Sequence, residues 1–166
     1  MSGSASGLSD AHRAHARKLI AENCRRMVAN KNSIHYTQSA ARWEGIRLYK
    51  SAIRDTYPKH ADCSSTHTWL MWDAMHRPYG VRDLVNRLNW KAGYTGTMYK
   101  RGKAVEHDAN LKIGDAIFYG DQGGGIPEHV ATYVGGGKVF SHGSEGGPYI
   151  LGLDYRSDRR MSRRYI

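Results

Sequence analysis

The chain is poor in cysteine, in long apolar runs and in acid. Its two cysteines, Cys24 and Cys63, are too few among 166 residues to make a disulfide scaffold. One lies in a helical pattern and the other follows an acidic residue, so both read as free thiols. No stretch approaches the roughly 18 consecutive apolar residues of a membrane span, and insertion into a bilayer is not expected. The opening Met1-Ser-Gly-Ser-Ala-Ser-Gly has neither the basic nor the apolar region of a secretory signal. Synthesis in a cytoplasm without a signal peptide is the expectation, with residues 1–9 a flexible leader or cloning remnant and residues 10–166 one folded domain. Internal repeats are missing. So are the HExxH and CxxC spacings of metal sites, and the histidines outside the motifs below (His12, His15, His35, His60, His67, His76 and His107) suggest neither a metal nor a cofactor.

Asp and Glu number 15 against 25 Lys and Arg, a net charge of +10, so the surface is expected to be drawn to polyanions. The C-terminal run Arg156 to Tyr165 and the arginines of the first helix read as solvated charged faces. Neither carries interleaved aromatics or a reader motif, which argues against specific nucleic-acid recognition.

Apolar positions Leu19, Ile20, Cys24 and Met27 recur at helical spacing between Asp10 and Ala29. A second helix is predicted from about Ala61 to His76, ending before Pro78 and Gly80, and a third from Val81 to Trp90. Trp69, Met71, Trp72 and Met75 on the second helix read as core. From Gly96 onward short apolar runs alternate with glycine-rich turns, and Gly135-Gly-Gly137 reads as the turn of a β-hairpin. Helices followed by strands predict an α+β domain, with the helices packed on one side of an antiparallel sheet.

A cysteine alone is more often a small buried hydrophobe than a nucleophile. At neutral pH only about 3% of an unperturbed thiol is ionised, so a nucleophile needs help. Cys63 is predicted in the first turn of the second helix, where the helix dipole favours thiolate and the Cys63 N–H can meet an oxyanion. His129 stands at a predicted strand entry, and His142 lies just beyond the returning strand. Across the hairpin His142 can orient the His129 ring, which makes a Cys-His-polar triad.

Asp62-Cys63-Ser64, Gly114-Asp115-Ala-Ile-Phe-Tyr and His129-Val-Ala-Thr-Tyr-Val-Gly-Gly-Gly-Lys-Val-Phe-Ser-His142 resemble the three signature blocks of the NlpC/P60 cysteine peptidases, in the same order. Ile34-His-Tyr-Thr-Gln, Arg42-Trp-Glu-Gly-Ile and the segment after Phe140 are similar to peptidase modules of actinobacterial phage endolysins. The resemblance implies a papain-like fold and cleavage of peptidoglycan stem or bridge peptides. It implies Cys63 as nucleophile, His129 as base and His142 as third member, with Tyr36 beside the cysteine and Asp62 and Ser64 in the substrate subsite. Ser65 stands where the family has glycine, and the loop before His129 is long and glycine-rich. An ungapped alignment puts Ser141 at the third position; a one-residue bulge restores His142, preferred because an imidazole orients a histidine better than a hydroxyl does.

The expected function is therefore peptidoglycan endopeptidase activity by a thiol mechanism, serving phage lysis of a bacterial host at its cell wall. Peptidoglycan and anionic wall polymers are the expected partners, and the protein is expected to be a monomer. An N-acetylmuramoyl-L-alanine amidase with the same dyad and a non-catalytic wall-binding domain are the alternatives.

Overall fold

The structure is a computed structural model that describes residues 6–48, 57–143 and 146–166. The leader residues 1–5, and residues 144 and 145 of the segment after Phe140, lie outside the described residues.

Helix α1 spans Asp10–Ala29 and starts at Ser9, whose hydroxyl accepts the His12 N–H at 3.1 Å. Ala16, Leu19, Ile20, Cys24 and Met27 form its buried stripe, as their spacing predicts. Strand β1 (His35–Tyr36) follows, then α2 (Glu44–Leu48) and β2 (His60–Ala61), which pairs with β1 in parallel. Helix α3 (Cys63–Met71) continues through a wider π-helical turn, Trp72–His76, into α4 (Arg77–Tyr79). Pro78 follows the π-helical turn by two residues, near the end of the run, and Gly80 ends it in a left-handed conformation with φ 67°. Trp69, Met71, Trp72 and Met75 are buried in the core, as expected.

Val81 to Trp90 is not the helix its apolar spacing suggests. The Asp83 carboxylate accepts backbone N–H groups of Val85, Asn86, Leu88 and Trp90 at 2.8–3.1 Å, which folds the segment into a loop around one side chain. An aspartate that offers the backbone another acceptor competes directly with the helical ladder. Arg87, Asn89 and Trp90 take positive φ there.

Short helix α5 (Thr95–Met98) leads to β3 (Lys103–Ala104), β4 (Ala116–Tyr119), β5 (His129–Gly135), β6 (Lys138–Gly143), β7 (Gly146–Gly152) and β8 (Arg159–Arg164). These six strands form one antiparallel sheet in the order β3-β8-β4-β5-β6-β7. The basic C-terminal run is therefore a strand inside a sheet and not a merely solvated face. Its arginines are spent on partners: Arg164 grips the buried Asp115 with two bonds at 2.8 and 2.9 Å, and Arg159 grips Asp108 with two at 2.7 Å.

Alternation along the strands separates two faces. Ala116, Phe118, Val130 and Phe140 pack against the helices in the large core, together with Ile20, Met27, Trp69 and Leu70. Ile117, Tyr119, Ala131, Val139 and Leu153 make a smaller cluster on the other face, flanked by Tyr133 and Tyr155. The fold is thus the predicted α+β arrangement, with the helices on one side of the antiparallel sheet.

Candidate active site

The start of α3 is built by Asp62. Its Oδ1 accepts the Ser65 N–H at 2.9 Å, while the Ser65 hydroxyl accepts the Asp62 N–H at 2.9 Å. This reciprocal cap explains why serine rather than glycine follows Asp-Cys-Ser, since glycine has no side chain to close it. Cys63, the first helical residue, retains 8% of its surface, whereas Cys24 has 1% and is packing material. The backbone N–H groups of Val130, Ser64 and Cys63 itself favour the Cys63 thiolate. The first of these donors is the residue after His129, so α3 delivers the thiol to the entry of β5.

The helix start does not ionise the thiol at rest. Burial, and next the Asp62 carboxylate, push the Cys63 thiol up to about 12, and the three N–H groups only partly offset them. The physical reason lies in the cap: the group that holds the helix N-terminus is itself an anion beside the sulfur.

His129 opens β5 with 6% of its surface exposed, its ring 6.0 Å from that of Tyr119. Its Nε2 lies 2.9 Å from the Ser141 hydroxyl, and Ser141 Oγ lies 3.1 Å from the Tyr155 hydroxyl. The hairpin register explains the pairing. Thr132 faces Phe140 and Tyr133 faces Val139, and continuing that ladder sets Ser141 on the His129 face and His142 on the opposite one. The β5–β6 pairing shifts register once, between Tyr133 and Gly135 beside the turn, and the β6–β7 pairing shifts between Ser141 and Gly143; neither shift moves His142 onto the His129 face, because Thr132 and Tyr133 stand against Phe140 and Val139 in regular register.

His142 therefore is not brought to His129 Nε2. It is 1% exposed on the helix side, where its Nδ1 bonds the Thr66 hydroxyl at 3.1 Å and the Tyr36 ring meets it edge-on at 5.6 Å. Tyr36, half-buried on β1, reaches this neighbourhood through the parallel pairing that sets it against Ala61, two residues before the thiol. Asp62 and Ser64 are buried in the cap, with the Ser64 hydroxyl donating to Asp62 Oδ1 at 3.2 Å. The guanidinium of Arg42 stands 3.7 Å from Asp62 Oδ2. Tyr155 escaped the sequence reading because it lies in a loop with no periodicity; Ser141 was visible through its spacing from His129.

Among the described residues no group of three or more histidine, cysteine or acidic side chains is placed to hold a metal ion. No described helix is long and apolar enough to cross a membrane.

Comparison by sequence finds no matching family model and no similar curated protein. Comparison of structures finds many. The peptidoglycan hydrolase RipB of Mycobacterium tuberculosis matches with a TM-score of 0.64 at 19% identity, over 100% of this chain and 72% of that one. The NlpC/p60 domain of the peptidoglycan hydrolase SagA matches at 0.57 and 17%, over 89% of this chain and 97% of the other. An NlpC protein of Trichomonas vaginalis matches at 0.57 and 18%, over 92% of this chain, which spans 47% of that longer protein. The class is thus an α+β fold in which a helix bearing a thiol at its first residue abuts a hairpin bearing a histidine. It is the fold of NlpC/P60 domains.

Proposed function

We propose that the chain is a peptidoglycan endopeptidase that hydrolyses an amide bond of a stem or bridge peptide by a thiol mechanism. The observation that carries this reading is the junction at β5: the Val130 N–H favours the Cys63 thiolate, and the residue before it, His129, has its Nε2 engaged by Ser141. The likeness to RipB and SagA, both peptidoglycan hydrolases, supports the substrate class.

In this reading Cys63 is the nucleophile, His129 the base and Ser141 the group that orients the base. The resting thiol is neutral, so its proton passes to His129 Nδ1 as Sγ attacks the carbonyl carbon. The oxyanion that forms is met by backbone N–H groups at the α3 start. His129, now an imidazolium, gives that proton to the leaving amine nitrogen as the C–N bond breaks, leaving a thioester. Water then attacks the thioester with His129 taking its proton, the C–S bond breaks, and the sulfur recovers the proton as the carboxylate product departs. Tyr36, paired against Ala61 two residues before the thiol, is assigned to contact with the peptide.

The motif likeness to actinobacterial phage endolysins supports a role in lysing a bacterial host, with action at the wall. The net charge of +10 supports attraction to anionic wall polymers. Purified sacculi of several chemotypes, digested and read by mass spectrometry, test the reading: new peptide termini are expected. A new sugar-lactyl end would instead identify an N-acetylmuramoyl-L-alanine amidase. Undiminished wall clearing by a folded Cys63→Ala variant would leave a wall-binding domain.

A further inference from the structure

A serine is an unreliable partner for a catalytic imidazole because its hydroxyl can donate as readily as it accepts. If Ser141 donates to His129 Nε2, the ring proton sits on Nδ1 and no lone pair there can take the thiol proton. When His129 is charged both ring nitrogens carry protons, so Ser141 must accept and its own proton must point elsewhere. Ser141 is 0% exposed, which keeps solvent from settling the matter.

The geometry points to Tyr155 as the positioning residue that fixes this direction: its hydroxyl oxygen, 3.1 Å from Ser141 Oγ, accepts the serine proton and turns the serine lone pair toward His129 Nε2–H. The inference rests on His129 being the base of the proposed peptidase.

Tyr155 is held for that task although it belongs to no strand. Its N–H donates to the Gly152 carbonyl at 3.0 Å, which closes a tight turn after β7. Its ring meets Tyr119 edge-on at 5.3 Å, and the Tyr119 hydroxyl donates to the Leu153 carbonyl at 2.7 Å in the same turn. The next residue, Arg156, bonds both Glu128, which precedes His129, and Asp158. The turn that carries the phenol is therefore tied to the strand entry that carries the imidazole. The relay His129–Ser141–Tyr155 lies on the sheet face away from the helices, so it can be altered without disturbing the large core.

The test joins a spectrum with kinetics. In protein labelled with ¹⁵N-histidine, His129 is expected as the Nε2–H tautomer in the unmodified chain. Tyr155→Phe is expected to raise the Nδ1–H population and to lower the imidazolium pKa by about half a unit or more. On muropeptide substrate, Tyr155→Phe is expected to cut kcat about ten-fold with KM within about two-fold, and to move the acid limb of the pH profile. In a Ser141→Ala background the same change is expected to cost nothing further. An Nδ1–H tautomer in the unmodified protein overturns the inference, even if Tyr155→Phe fails to fold. Unaltered tautomer and kcat in folded Tyr155→Phe, or losses that multiply in the double variant, overturn it equally. Should the unmodified protein cleave no peptidoglycan while the tautomer depends on Tyr155 as stated, the relay stands and the hydrolase reading falls.

Discussion

The two faces of the β5–β6 hairpin carry similar side chains and put them to different uses. Toward the helices, Thr132 bonds His67 at 2.7 Å and His142 bonds Thr66 at 3.1 Å, so both imidazoles act as polar fasteners between α3 and the sheet. On the other face His129 stands at the rim, with the buried Ser141 and then Tyr155 behind it. What separates the faces is position along the strands and what packs against them. A histidine sealed under a helix is held neutral, and burial lowers the His67 pKa to about 3. His129, at a strand entry, keeps 6% of its surface exposed and precedes Val130, whose N–H favours the thiolate. The lesson is that identity of residue type settles little on a hairpin; one step in register decides whether an imidazole fastens or reacts.

The strongest way to break this comparison is at the rim. Cys63→Ala and His129→Ala are each expected to lower turnover of sacculi by about 10³-fold or more, with circular dichroism and melting near those of the unmodified protein. Retained turnover in either would move the chemistry elsewhere. Next comes the adjacent pair. Ser141→Ala is expected to lower kcat about ten- to a hundred-fold with little loss of stability, whereas His142→Ala is expected to cost about 1–3 kcal/mol in denaturant unfolding by leaving Thr66 unpaired. The reverse pattern would make His142 the orienting residue and dissolve the contrast between faces.

The helix face should also govern acid stability. His67 Nε2 is buried and has no hydrogen-bond partner among the described residues. An unfolded chain takes up a proton at His67 below the ordinary value of 6.5, while the folded one does so only near 3. Stability is therefore complete above about pH 6.5 and falls with pH toward 3, at up to about 1.4 kcal/mol per pH unit from this group. Urea unfolding across that window should show the slope, and His67→Gln should flatten it.

A smaller effect sharpens the account of the thiol. Asp62→Asn preserves an amide cap but removes the anion, so the alkylation midpoint of Cys63 should shift down from about 12 in a pH series. A midpoint that stays put would leave burial as the whole cause. The smallest effect concerns the surface. Wall clearing should decline as salt rises from low to physiological strength, because a charge of +10 steers the protein only while it is poorly screened. Indifference to salt would remove attraction to the wall from the picture.

Much of this architecture could be read from residues. The amphipathic stripe of α1, the hairpin at Gly135-Gly-Gly137 and the helix start at Asp62-Cys63 are local patterns, and local patterns survive folding. The reading of Val81 to Trp90 failed because a single carboxylate, Asp83, reached four backbone N–H groups and outcompeted the helix that Leu84, Val85 and Leu88 advertised. The Arg-rich C-terminus reads locally as a solvated run because its partners, Asp108 and Asp115, lie about fifty residues upstream. Burial of Asp62 and Ser64 was hidden for a related reason: a motif gives the position of a side chain along the chain, not the direction in which a cap turns it.

By itself the sequence determined the α+β order, the free thiol at a helix start, the histidine at a strand entry and the excess of positive charge, all of which depend on spacing and composition. Tertiary structure alone decided that Ser141 rather than His142 meets His129, that Tyr155 stands behind the serine, and that burial and the Asp62 carboxylate push the thiol up. Each of these turns on register, burial or a charge brought near through space, and such quantities come into being only when distant segments pack together.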